Sequence, residues 1–65
     1  MRIEIKGVVY TVEAKGRAKA VQRAAGQFFG RPVTTAPHFV GYTKGGVWYK
    51  VVAGEDVVDV MVYNE

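Results

Sequence analysis

Val47-Trp48-Tyr49-Lys50-Val51-Val52-Ala53-Gly54-Glu55-Asp56-Val57-Val58-Asp59-Val60-Met61-Val62 is the stretch on which the fold turns. With Gly54-Glu55 as a two-residue turn, Val51 faces Val58, Tyr49 faces Val60 and Val47 faces Val62. That register gathers the apolar partners on one side of a hairpin. Its other side pairs Lys50 with Asp59, Trp48 with Met61 and Val52 with Val57. A cross-strand charge pair of this kind contributes about a few tenths of a kcal/mol.

Upstream, Lys44-Gly45-Gly46 separates this hairpin from a further apolar run. A turn at Gly45-Gly46 sets Tyr42 opposite Tyr49 and Val40 opposite Val51, continuing the same apolar side. Phe39 then falls on the Trp48 side, together with Tyr63. Residues 31 to 37 read as a connection, with two prolines and two threonines.

From Lys15 to Phe29 the period becomes helical. Ala14, Ala18, Val21, Ala25 and Phe28 recur at three- and four-residue steps, with Phe29 at the margin. Gly16 stands where a Ser or Thr cap is usual and is an acceptable substitute. Gly30 followed by Arg31-Pro32 supplies a left-handed stop and then a breaker. The many alanines predict a helix lying close to a sheet.

In the first fourteen residues the apolar phase switches, from Met1, Ile3 and Ile5 to Val8, Tyr10, Val12 and Ala14. A turn at Lys6-Gly7 resolves the switch, pairing Ile5 with Val8, Ile3 with Tyr10 and Met1 with Val12. The expected fold is therefore α+β, a mostly antiparallel sheet of about five strands in the order ββαβββ, with one helix packed on one face. Residues 1–65 are taken as one domain.

A chain of 65 residues buries a modest core, and small domains usually add disulfides, metals or self-association. There is no cysteine, so disulfides and thiolate metal sites are excluded. No apolar run has the length of a signal peptide or membrane span, so the expected location is the cytoplasm, without membrane contact. The net charge of +3 is compatible with nucleic acid or an acidic protein partner and diagnostic of neither.

The chemistry of catalysis is hard to assemble from these residues. His38 is the single histidine, and serine is absent. The hydroxyl candidates Thr11, Thr34, Thr35 and Thr43 sit in no triad-like motif. Glu55-Asp56 lies in a tight turn, and Gly45-Gly46 lacks the strand-loop-helix context of a phosphate cradle. No catalytic residue, metal ligand or cofactor site is assigned, and the expectation is a protein that is not an enzyme.

Two surfaces remain as candidates. Lys15, Lys19 and Arg23 align along the helix, Arg17 lies nearer its buried edge, and Arg31 follows it. Such a stripe can meet phosphates, meet an acidic protein, or simply keep a helix face in water. The second surface is the side of the sheet away from the helix, with Phe39, Trp48, Lys50 and Met61 beside Val52 and Val57. One helix covers one side, so this cluster is expected to be exposed unless the twisted sheet or the 31–37 connection folds over it.

The run Ala18-Lys19-Ala20-Val21-Gln22-Arg23-Ala24-Ala25-Gly26-Gln27-Phe28-Phe29-Gly30, followed by Phe39-Val40-Gly41-Tyr42-Thr43-Lys44-Gly45-Gly46-Val47-Trp48, resembles small proteins of phages and mobile elements. It is similar to an anti-CRISPR inhibitor family of type I-F surveillance complexes, with a helix bearing alanine and lysine that ends in Phe-x-Gly, then a strand, a Gly turn and a Trp. The resemblance covers about half of the chain. It implies an antiparallel sheet with one helix, and a basic surface that occupies a crRNA-guided complex where target DNA would bind. Lys19 and Arg23 match the basic helix positions; Gly16 replaces the usual capping Ser, and the first hairpin is shorter. The functional expectation is a phage-type inhibitor of a host protein or ribonucleoprotein, with a small nucleic-acid-binding module or a homodimer built on the Trp48 face as alternatives.

Overall fold

The structure is a computed structural model that describes residues 1–64. Five strands form one antiparallel sheet, and one helix lies across it. In chain order they are β1 (Arg2–Ile5), β2 (Val8–Thr11), α1 (Arg17–Phe29), β3 (His38–Thr43), β4 (Gly46–Ala53) and β5 (Asp56–Tyr63). The spatial order is β2-β1-β5-β4-β3. The fold is the expected α+β arrangement, ββαβββ.

The first hairpin turns at Lys6-Gly7, with φ of 49° and 82°. Two successive positive φ values give the backbone the twist that a two-residue hairpin needs. Ile5 pairs with Val8 and Ile3 with Tyr10, and the Val12 amide donates to the Met1 carbonyl at 2.9 Å. β1 also pairs with β5, Ile3 opposite Val62 and Ile5 opposite Val60. The last hairpin has the expected register throughout, from Val47 opposite Val62 to Val52 opposite Val57.

The β3–β4 hairpin departs from the sequence reading. Its loop is Lys44-Gly45, with Thr43 opposite Gly46 and Tyr42 opposite Val47 rather than Tyr49. Gly46 belongs to the strand for a steric reason. A Cβ built on it would lie 2.0 Å from the Val62 carbonyl oxygen, so β5 approaches closer than any side chain permits. A register shift then falls between Phe39 and Gly41, making Val40 an extra residue rather than the partner of Val51. Beyond it Phe39 pairs with Tyr49. The bulge thus carries Phe39 to the helix side, correcting its expected place beside Trp48.

The helix begins at Arg17, after Gly16 at the expected cap position, extended (φ −175°) and without a side-chain cap bond. It ends at Gly30, whose φ of 71° lets its amide donate to the Gly26 carbonyl at 2.9 Å. Its buried face is Ala20, Val21, Ala24 and Ala25; of the expected stripe, Val21 and Ala25 are in the core, Ala14 and Phe28 pack against it, and Ala18 is exposed. These side chains meet Ile3, Ile5, Val51, Val58, Val60 and Val62 in a single core. Burying a residue such as Ile3, Val21 or Val60 contributes roughly 1.5–3 kcal/mol each. The alanines allow a close seat on β1, β4 and β5, so the edge strand β3 stays outside the helix's cover.

Candidate interaction surfaces

The helix and its flanks carry charge of one sign. Residues 15 to 31 hold Lys15, Arg17, Lys19, Arg23 and Arg31 and no Asp or Glu, although the chain contains six acidic residues. A solvated helix face usually mixes signs, whereas one sign over two exposed turns makes a local positive field. Lys19, Gln22, Arg23, Gln27 and Arg31 line an open groove between the helix and the connection that follows it.

The five cations are not equivalent. Arg23 donates to the Glu13 carbonyl and ties the helix to the segment after β2. Arg31 donates to the Ala53 carbonyl at 3.1 Å and forms an ion pair with Asp56 at 3.4 Å. Its guanidinium also lies 5.4 Å from the centre of the Phe29 ring. Both arginines therefore fasten the fold. Lys15 and Lys19 are exposed and make no ion pair or hydrogen bond through their side chains among the described residues. Of the expected basic site, these two lysines are the groups available to a partner without loss of an internal contact.

The connection is strapped to the helix side. Gln22 donates to the Thr35 carbonyl at 2.9 Å, the Thr35 hydroxyl donates to the Val52 carbonyl at 2.6 Å, and Val33 packs on the core. Residues 31–37 so complete the main core and leave the reverse of the sheet uncovered.

That reverse side is built from rows across the strands. Trp48 lies opposite Met61, Lys50 opposite Asp59 and Val52 opposite Val57. Trp48 is 39% exposed and Val57 51%, while Met61 is half-buried. The Thr43 hydroxyl donates to the Met61 sulfur at 3.6 Å. Lys50 and Asp59 are both exposed. They hold the expected cross-strand position, but among the described residues their charged groups close no ion pair. In the same layer Tyr63 donates its hydroxyl proton to Glu4, and Arg2 lies 5.1 Å above its ring. The Glu4 acceptor, followed by desolvation and the Glu4 charge, raises the phenol above its ordinary value of 10.0, against an opposing Arg2. A shallow depression lined by Glu4, Lys6, Thr43, Trp48, Asp59 and Met61 runs through this side.

A third surface was not legible in the sequence. Phe39 and Tyr42 stack edge-to-face at 5.2 Å between ring centres, and Phe39 and Tyr49 at 6.1 Å. Tyr42 is 78% exposed and Phe39 55%. They share a side only because Val40 is inserted between them, and no residue type at Val40 announces a bulge.

His38 is exposed on β3 opposite Lys50. Among the described residues no cluster of three His, Asp or Glu side chains could hold a metal ion, and no helix is long and apolar enough to cross a membrane. The chain matches no protein-family model, no curated protein and no solved structure.

Proposed function

We propose that the protein is a non-catalytic, phage-type inhibitor, related in kind to anti-CRISPR proteins. In this reading it captures a host protein or ribonucleoprotein through the basic helix layer. The observation that carries this is the charge segregation of residues 15–31, five cations without a carboxylate, along the helix and its flanks, where exposed Lys15 and Lys19 hold no internal contact. Such a layer raises the encounter rate with a polyanionic or acidic surface and pays little on contact, because the helix is already ordered.

The test is capture from host lysate with Lys15→Glu/Lys19→Glu protein. Capture is expected to fall at least about tenfold while the Tm stays within a few degrees of the parent, since neither lysine supports the fold. Undiminished capture by the double variant would remove the helix layer from the contact.

A second reading, a small nucleic-acid-binding module, draws support from Phe39 and Tyr42. Both are exposed on the helix side, where bases could stack while lysines meet phosphates. Trp48, on the other side of the sheet, could not serve that strand. Binding to generic single-stranded DNA that weakens steeply with salt and with Tyr42→Ala would favour this reading over capture of a protein.

A further inference from the structure

The reverse side of the sheet is self-complementary. On β4 the outward residues are Trp48, Lys50 and Val52; opposite them on β5 are Met61, Asp59 and Val57. Along the strands the rows therefore read apolar, charged, apolar, with Lys50 and Asp59 side by side. Each is exposed, and neither satisfies the other.

Consider a two-fold axis parallel to the strands, running between β4 and β5 above this surface. Rotation about it keeps every residue at its own height along the strand and exchanges the β4 and β5 positions. Trp48 of one copy then lies over Met61 of the other, and Val52 over Val57. Lys50 lies over Asp59, and each contact occurs twice, as a two-fold interface requires. Aligned packing of two sheets, about 10 Å apart and twisted by about 30°, is a standard geometry. Tryptophan against a methionine sulfur is a favourable contact. Setting β4 on β4 instead either opposes Lys50 to Lys50 or, after a slip, lays it on Trp48 or Val52, so the charged row favours the crossed orientation.

We infer that the occupant of this side is a second copy of the chain, joined sheet to sheet through Trp48, Lys50, Val52, Val57, Asp59 and Met61. The helix layer cannot take this role, because its cations would meet their own kind. A 65-residue chain without cysteine also gains most from the kind of support that self-association gives. The dimer leaves both helix layers facing outward, so the inference stands apart from the proposed function.

Sedimentation equilibrium tests it. The wild type is expected at twice 7.1 kDa, and Trp48→Ala at the monomer mass with unchanged circular dichroism. Lys50→Asp sets two carboxylates over two, and Asp59→Lys sets two ammonium groups over two. Each should weaken the dimer about a hundredfold or more, since opposed like charges cost several kcal/mol. Mixing the two variants should restore a mixed dimer, which only pairing between chains can do. A wild type that stays monomeric at millimolar concentration overturns the inference. So do single variants that dimerise like the parent, or a mixture that remains monomeric. A monomer whose Trp48→Ala variant loses capture from lysate would assign the surface to a foreign partner instead.

Discussion

At the scale of single residues, two positions show how local chemistry sets the sheet. Gly46 is buried where a methyl group would stand 2.0 Å from the Val62 carbonyl oxygen. Gly46→Ala must push β4 from β5 and is expected to cost about 3 kcal/mol or more in urea denaturation. Gly45→Ala meets nothing within 4 Å and should stay within about 0.5 kcal/mol of the parent. Tyr63 is the second position, because its bond to Glu4 raises the phenol pKa. A raised value means that the folded state holds the phenolic proton more tightly than the unfolded chain. The stabilisation is therefore complete below the unfolded value of about 10 and is lost as pH climbs through the folded value. The Tm advantage of the wild type over Tyr63→Phe should accordingly be present at pH 8 and shrink by pH 11. An advantage that grows with pH would contradict the assignment.

Among the elements, the helix is the one whose phase matters most. Ala14, Ala18, Val21, Ala25 and Phe28 fit one helical stripe, and all but Ala18 pack on the core, yet Ala20 and Ala24 are buried beside them. Adjacent small residues broaden the face that can meet a sheet, so periodicity alone leaves the rotation loose by one position. The choice has a measurable consequence. Ala24→Leu forces bulk between helix and sheet and should cost about 1–3 kcal/mol, whereas Ala18→Leu, on the exposed side, should change stability by less than about 0.5 kcal/mol. The reverse order, read by thermal melts, would restore the original phase. The strands β4 and β5 were easier to read, because the Gly54-Glu55 turn leaves one register that hides Val47, Val51, Val58, Val60 and Val62 together on the core side. β3 was not, since Gly45-Gly46 offers two adjacent turn placements and the bulge at Val40 hides in an ordinary apolar run.

Across the whole molecule, the two candidate surfaces lie on opposite sides of the sheet. One helix roofs β1, β4 and β5, and the strapped connection finishes that side. The reverse has no cover from within the described residues. The reverse side carries both signs, whereas residues 15–31 are wholly basic. The two candidate surfaces consequently do not compete: a sheet-to-sheet dimer would present two helix layers outward, and two linked contacts hold a multivalent target more tightly than one. Lys15 and Lys19 were legible as candidate contacts from their spacing alone. That Arg23 and Arg31 instead hold the chain together was not, because their acceptors are the carbonyls of Glu13 and Ala53, and backbone carbonyls leave no mark in a sequence.

Alternation and turn chemistry, which act between near neighbours, were enough by themselves to specify the element order, the first and last hairpins and the exposed side of Trp48. Sheet order, the β3 bulge, the side taken by Phe39 and the duties of the arginines came only with the tertiary structure. Each of those depends on which distant backbone arrives alongside, and a linear pattern carries no information on that until the chain has closed β1 against β5.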